Sequence, residues 1–128
     1  MKKKILIVIA NYYKDVSEEL LKGAKEELNK FAKIKIIEVP GVFEIPVIIS
    51  KNIKKFDGFV ALGCVIQGET PHFQFISKSA IDAIMNISVD YKKPVGNGIL
   101  TCLNKDQANA RVKKGAEAAH AVKSVLTQ

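Results

Sequence analysis

The sequence is poor in the residues and patterns that mark several classes of protein. Its 128 residues include only two cysteines and two histidines. Cys64 and Cys102 are too few for a disulfide framework and lack metal-ligand spacing, so they predict buried free thiols and no bound metal. No apolar run approaches the roughly 20 residues that span a bilayer. These absences argue against a disulfide-stabilised secreted domain and against a membrane protein.

The start of the chain, MKKKILIVIA, imitates a signal peptide. Its apolar run at 5–10 is too short for the apolar core of such a peptide, and it leads into NYYKD without a small-residue cleavage site. We therefore expect a cytoplasmic protein, with no membrane partner, whose first strand begins near the first residue.

Arginine is nearly absent, and lysine supplies almost all of the positive charge. The net charge is +7 at pH 7, and Arg111 is the only arginine. Lysines are spread along the chain, at 2–4, 54–55, 92–93 and 113–114, and no aromatic residues interleave with them as they do on a face that binds single strands. The pattern predicts a solvated, lysine-rich surface and no nucleic-acid partner.

What the sequence does contain is a regular alternation of strand and helix patterns. Apolar runs at 4–10, 34–39, 57–66 and 94–101 predict four strands. Helical patterns follow them, after Ser17 as N-cap, over 42–55, after Thr70 as N-cap, and over 104–126 with a break near Gly115. This alternation predicts one domain over 1–128, a three-layer α/β sandwich in which helices flank a four-stranded parallel sheet.

Three loops follow strands at the same edge of this predicted sheet. They lie at 11–13, 40–44 and 67–72. Open α/β sheets bind their ligands at the carboxyl ends of the strands, so this edge is the expected site. With Thr70 as N-cap and Pro71 as first helical residue, His72 would lie in the first turn of a helix, near free backbone N–H groups. The combination predicts an anion site beside a proton carrier, although a lone histidine there could also merely cap the helix or face water.

Segments in and around these loops resemble the 6,7-dimethyl-8-ribityllumazine synthase family. The matching segments are PGVFEIP at 40–46, ALGCVIQGETPHF at 61–73, GILT at 98–101 and KGAEAA at 114–119. The resemblance runs nearly the full length of the chain and implies a flavodoxin-like fold. It also implies a transferase of riboflavin biosynthesis, which condenses 5-amino-6-(D-ribitylamino)uracil with 3,4-dihydroxy-2-butanone 4-phosphate and releases phosphate and water. Each implied step moves protons and none needs a cofactor.

The resemblance further implies roles for individual residues. His72 matches the catalytic histidine that transfers protons. Arg111 matches the arginine that binds the substrate phosphate, together with Glu69 and Thr70. Tyr12 matches an aromatic residue that stacks on the pyrimidine. The other implied contacts to the ring and the ribityl chain are Val42, Phe43, Glu44, Cys64, Val65, Ile66 and Asn97.

Some of these positions have a plainer explanation, or depart from the family pattern. Tyr12 and Arg111 could be ordinary surface residues, and Glu44 could be a first-turn carboxylate favoured by the helix dipole. Asn97 stands where many members carry a phenylalanine. The segment from Arg111 to Lys114 is shorter than usual, which leaves the role of Lys114 open.

The resemblance also implies an assembly. In the family the site lies between neighbouring subunits of a pentamer, and some members build an icosahedral shell from pentamers. The loop residues would come from one subunit, and Asn97 and Arg111 from the next. We therefore expect a homopentamer that binds two small-molecule substrates, with riboflavin synthase as a candidate protein partner and the choice between pentamer and shell left open.

Two other classes of function remain open at this point. A non-catalytic member that binds lumazine or a flavin, or forms a structural shell, would keep Tyr12 and the 42–44 segment but could lose His72 or Arg111; both are present. A basic α/β module that binds nucleic acid would show a clustered positive face and binding that weakens with salt.

Overall fold

The fold is described from a computed structural model, which covers residues 2–69 and 71–128. The strands are β1 (Lys3–Ala10), β2 (Ala32–Val39), β3 (Gly58–Ile66) and β4 (Val95–Cys102). The helices are α1 (Lys14–Leu28), α2 (Ile45–Lys51), α3 (His72–Tyr91), α4 (Lys105–Ala110) and α5 (Lys114–Leu126), and a 3-10 turn (Val42–Glu44) precedes α2.

The four strands form one sheet in the order β2-β1-β3-β4, and every neighbouring pair is parallel. This order is that of a flavodoxin-like sheet. Alternate residues of β1 enter different cores, because side chains in a strand point to opposite faces. Residues 5, 7 and 9 pack with α1 and α5, whereas residues 6, 8 and 10 pack with α2 and α3. The predicted three-layer α/β sandwich is confirmed.

Helices α1 and α5 pack so closely that a side chain would not fit between them at one point. Gly115 is buried in the first turn of α5. A Cβ added there would lie 2.8 Å from the carbonyl carbon of Leu20 and closer still to its oxygen. Gly115 therefore sets the distance between the two helices, and with it the place where α5 begins.

The structure corrects several local predictions. Ser17 is not an N-cap, since α1 begins three residues earlier and the buried Ser17 hydroxyl donates to the carbonyl oxygen of Ala10, at 2.7 Å. The break predicted near Gly115 falls just before it, at 111–113. Pro71, predicted as the first helical residue, stands at the N-cap of α3. The prediction of Thr70 as N-cap lies outside the described residues.

The packing of Gly115 predicts a large effect of one added methyl group. Gly115→Ala is expected to lower the free energy of unfolding by about 1 to 3 kcal/mol, because the new Cβ meets backbone that cannot move independently. Gly68→Ala is the matched control, since a Cβ at Gly68 would have no atom within 4 Å. Equilibrium denaturation of both variants measures the difference, and equal stabilities would contradict the assigned role of Gly115.

Candidate active site

The carboxyl ends of β1, β2 and β3 lie against one another. The Asn11 backbone N–H donates to the carbonyl oxygen of Val39 at 3.3 Å, and the Asn11 side-chain amide donates to Glu38 Oε2 at 3.0 Å. In β3, a Cβ added to Gly63 would lie 2.8 Å from Val42 Cγ2. These contacts join the loop after β1, the end of β2 and the 3-10 turn over the end of β3. The structure therefore brings together the loops at 11–13 and 40–44, as the sequence predicted.

Two aromatic rings are exposed at this edge. Tyr12 is 75% exposed and Phe43 is 59% exposed. Between them in sequence, Val42 is buried and fixes the 3-10 turn in the core, and the next residues of the turn project from it. Glu44 is partly buried in the same turn. Exposed rings beside a carboxylate can bind a planar heterocycle that carries hydroxyl groups.

A contact that the sequence did not predict supports the Tyr12 ring. Tyr12 and Tyr13 meet edge to face, with ring centroids 5.0 Å apart. Lys105 Nζ lies 5.8 Å from the centroid of the Tyr13 ring and 3.0 Å from Asp15 Oδ2. The first residue of α4 thus holds the loop after β1 from the other side. No local pattern joins residues 90 positions apart, so only the fold reveals this contact.

Two pKa values in this contact differ from their ordinary values. The hydrogen bond from Lys105 lowers the pKa of the Asp15 carboxyl. Burial raises the pKa of the Tyr13 hydroxyl, with a smaller contribution from the neighbouring Tyr12. Both groups therefore keep their usual charges at neutral pH, Asp15 negative and Tyr13 uncharged.

The loop after β3 carries the predicted proton carrier. His72 is exposed and is the first residue of α3, and Glu69 is exposed three positions earlier. Thr70, predicted to bind phosphate with them, lies outside the described residues. The position of His72 at a helix start agrees with the sequence analysis.

The end of β3 forms a largely apolar wall. Cys64 is buried, and Val65 and Ile66 are partly buried. Burial raises the pKa of the Cys64 thiol to about 12, with a further contribution from Cys102 on the neighbouring strand. Both cysteines are free and buried, as predicted.

Asn97 and Arg111 come together elsewhere, in a cleft of about 520 Å³ beside the edge strand β4. Lys113, Lys114 and Glu117 also line this cleft. Lys113 and Glu117 were not predicted as site residues, although Glu117 stands three residues after Lys114 on one helix, a spacing that places both on the same side. The cleft therefore combines several cations with one carboxylate and one amide.

Local contacts orient the two predicted residues in this cleft. Arg111 ends α4, and its Nη1 lies 4.0 Å from Cys102 Sγ. Asn97 Oδ1 accepts a hydrogen bond from the Ile99 backbone N–H at 3.0 Å. Among the described residues that line the cleft, none belongs to the loops at 11–13, 40–44 or 67–72. The predicted site residues therefore form two groups. The cleft group comprises Asn97 and Arg111, and the loop group comprises Tyr12, residues 42–44, residues 64–66, Glu69 and His72.

Residues 2–69 and 71–128 lack the features of two other protein classes. No three His, Cys, Asp or Glu side chains in those ranges are arranged to hold a metal ion. No helix within the described part of the chain is long and apolar enough to cross a membrane.

Comparison with known proteins identifies the family. The model of the 6,7-dimethyl-8-ribityllumazine synthase family matches residues 2–128. The chain belongs to this family. Proteins that bear the name 6,7-dimethyl-8-ribityllumazine synthase include one from Bartonella bacilliformis, 46% identical over 116 residues that cover 87% of this chain and 76% of the relative. The resemblance found in the sequence motifs is confirmed.

Other lumazine synthases align over still more of the chain. The protein of that name from Agrobacterium fabrum is 42% identical over 138 aligned positions, which cover 98% of this chain and 93% of the relative. One from Corynebacterium kroppenstedtii is 38% identical over 123 positions, covering 90% of this chain and 77% of the relative. Loop group and cleft group both lie within the matched residues 2–128.

The contact between Asp15 and Lys105 predicts a measurable titration. Because Lys105 lowers the pKa of folded Asp15, the contact stabilises the fold above the ordinary carboxyl pKa of about 3.9, and this contribution is lost as pH falls through the lowered value. Lys105→Ala is expected to return the pKa of Asp15 toward the ordinary value, as followed by NMR titration of its carboxyl carbon. Lys78→Ala, which removes an exposed pair with Asp82, should leave Asp15 unchanged. An unaltered Asp15 pKa in Lys105→Ala would refute the assignment.

Proposed function

We propose that this chain catalyses the reaction after which its family is named, the synthesis of 6,7-dimethyl-8-ribityllumazine in riboflavin biosynthesis. In this reaction 5-amino-6-(D-ribitylamino)uracil condenses with 3,4-dihydroxy-2-butanone 4-phosphate. The family match over residues 2–128 carries the proposal, and we assign the activity to a single domain spanning the chain. Two free thiols fit a cytoplasmic enzyme, since cysteines stay reduced there.

The loop group fits the pyrimidine substrate. The exposed Tyr12 ring offers a stacking surface, and Phe43 offers a second apolar ring nearby in the fold. Glu44 can accept hydrogen bonds from the ribityl hydroxyls. Val42 fixes the turn that carries Phe43 and Glu44, and residues 64–66 form the wall at the end of β3. In this arrangement the loops hold the amine substrate by shape and by a few polar contacts.

The cleft group fits the phosphate of the second substrate. Arg111 presents a planar guanidinium that can bind two phosphate oxygens at once, and Lys113 and Lys114 add positive charge in the same cleft. Glu69 and Thr70 would complete the phosphate site from the loop after β3. Asn97 borders the cleft and would contact the ring through a polar side chain. Positive charge placed here favours both binding of the dianion and departure of phosphate.

His72 is the residue we assign to proton transfer. The substrate amine attacks the ketone and water leaves to give an imine; phosphate then departs, and the ribitylamino nitrogen closes the ring on the remaining carbonyl carbon with loss of a second water. Every one of these steps gives or takes a proton, and an imidazole can do both near neutral pH. No other histidine lies among the proposed site residues, since His120 pairs with Glu27 on the α1–α5 side of the sheet.

We further propose a homopentamer in which each site is shared by two subunits. The cleft around Asn97 and Arg111 is lined by none of the described loop residues, and this supports the arrangement. Exposed apolar residues on α3 also support an assembly, because Phe75, Met85 and Val89 are each more than half exposed along one helix. Such a contact is heterologous, so it closes into a ring when every subunit offers its loops to the cleft of the next.

The roles of His72 and Arg111 are tested by the condensation itself. With both substrates present, lumazine absorbance should rise well above the spontaneous background. His72→Ala is expected to lower kcat by about 100-fold or more, as loss of an acid–base group does. Arg111→Ala should mainly raise KM for the phosphate substrate. His120→Ala is the matched control, because it removes the second histidine, which lies outside the proposed site. A folded, assembled protein with no rate above background would indicate a member that only binds.

Mixed assemblies test whether one site uses two subunits. His72→Ala and Arg111→Ala chains would be co-expressed in equal amounts, and each variant would be nearly inactive alone. The assay would use the phosphate substrate far below the KM of Arg111→Ala, so that this variant alone has little activity. Random assembly into shared sites should then restore about a quarter of the wild-type activity, because one pairing in four combines an intact histidine with an intact arginine. No restored activity in assemblies shown to contain both chains would mean that each site belongs to one subunit.

A further inference from the structure

The fold gathers lysines that are far apart in the sequence. Because all four strands are parallel and in register, the segments that precede them meet at one edge of the sheet. We call this the amino edge, and its lysines are those at 2–4, 30, 33, 54–55 and 92–93. Their spacing along the chain predicted lysines spread over the surface, whereas the fold concentrates this group at one edge.

Fewer carboxylates than lysines lie near this edge. Asp57 is one, and it accepts a hydrogen bond from the backbone N–H of Lys4 at 2.8 Å. Asp90 lies near the end of α3, and Glu26 and Glu27 lie in the last turn of α1, where Glu27 pairs with His120. Ion pairs in the described ranges join Lys78 to Asp82, Lys105 to Asp15 and His120 to Glu27, and none involves an amino-edge lysine. Apart from the partly buried Lys93, whose Nζ donates to Ile53 O at 2.7 Å, these lysines are exposed.

The opposite edge of the sheet differs in charge. The loops and helix starts at the carboxyl ends of the strands carry Asp15, Glu38, Glu44 and Glu69 together with a few cations. The positive excess is thus a property of one edge, although composition alone would allow it to be distributed evenly.

Helix dipoles account for part of the lysine enrichment. Helices α1, α2, α3 and α5 run against the strands, so their carboxyl ends point to the amino edge. Each end carries roughly half a negative charge, which favours a lysine in the last turn or just beyond it. Four half charges do not balance the lysines gathered here, and a net positive surface remains.

We propose that the amino edge binds the phosphate backbone of a nucleic-acid duplex without sequence preference. Lysines supply point charges suited to phosphates, while arginine, which most often reads guanine, is absent from this edge. No series of aromatic rings interleaves with the lysines, which favours a duplex over unstacked single strands. The edge lies at the other end of the strands from the candidate active site, so binding there would leave the enzymatic reaction unchanged.

The test compares two variants with the same loss of charge. The edge variant is Lys3→Gln, Lys54→Gln and Lys92→Gln, and the control variant is Lys22→Gln, Lys35→Gln and Lys78→Gln. Binding to a fluorescently labelled duplex of arbitrary sequence would be measured by anisotropy at salt concentrations from about 50 to 200 mM. Wild type and control should bind alike, with a dissociation constant on the order of 1 to 100 μM at physiological salt. The edge variant should bind more weakly, with a salt slope reduced by about one for each contacting lysine removed.

Three outcomes would overturn the proposal. One is that wild type does not bind the duplex at the lowest salt, and another is that the edge variant binds as well as the control. The third is that wild type binds phosphatidylserine vesicles while the duplex does not compete, which would assign the edge to a membrane surface. Lumazine formation by the edge variant is expected to equal that of wild type. The duplex assay therefore tests this proposal, and the lumazine assay tests the proposed enzymatic function independently of it.

Discussion

Strand β3 is the constraint on which the structure depends. It pairs in parallel with β1 on one side and with β4 on the other, and residues 58–64 are buried. A strand covered on both faces needs helices above and below the sheet. Because each helix returns the chain to the same starting edge, all strands finish at one edge and the long helices finish at the other. The location of the candidate site, and the difference in charge between the two edges, both follow from this arrangement.

The sheet also explains why the site residues form two groups. The loops after β1, β2 and β3 lie close together because those strands are consecutive neighbours in the sheet. Strand β4 is at the border, and the chain beyond it turns through α4 into α5, which packs against α1 at Gly115. Arg111 lies in that turn and therefore faces the border cleft.

Much of the fold was predictable because the decisive signals are local. Long apolar runs identified every strand, and Asn11, Pro40 and Gly41 marked the loops between elements. Signals that depend on distant partners were missed. Serine is a residue type that favours N-caps, but the Ser17 hydroxyl donates its hydrogen bond to the carbonyl oxygen of Ala10. Lys105 contacts Asp15 across the sheet edge, and the amino-edge lysines meet only after three crossovers. The motifs predicted the candidate site. Only the cleft in the folded structure shows that Lys113 and Glu117 lie beside Arg111.

The burial of Cys64 has a chemical consequence for a site that handles a ketone. With its pKa raised to about 12 by burial, the Cys64 thiol stays protonated at neutral pH. A thiolate would add to the electrophilic carbonyl carbon and trap the substrate as a sulfur adduct. A neutral thiol does not compete with an amine for that carbon. A protonated Cys64 beside the proposed site would therefore leave the carbonyl carbon of a bound ketone to the amine.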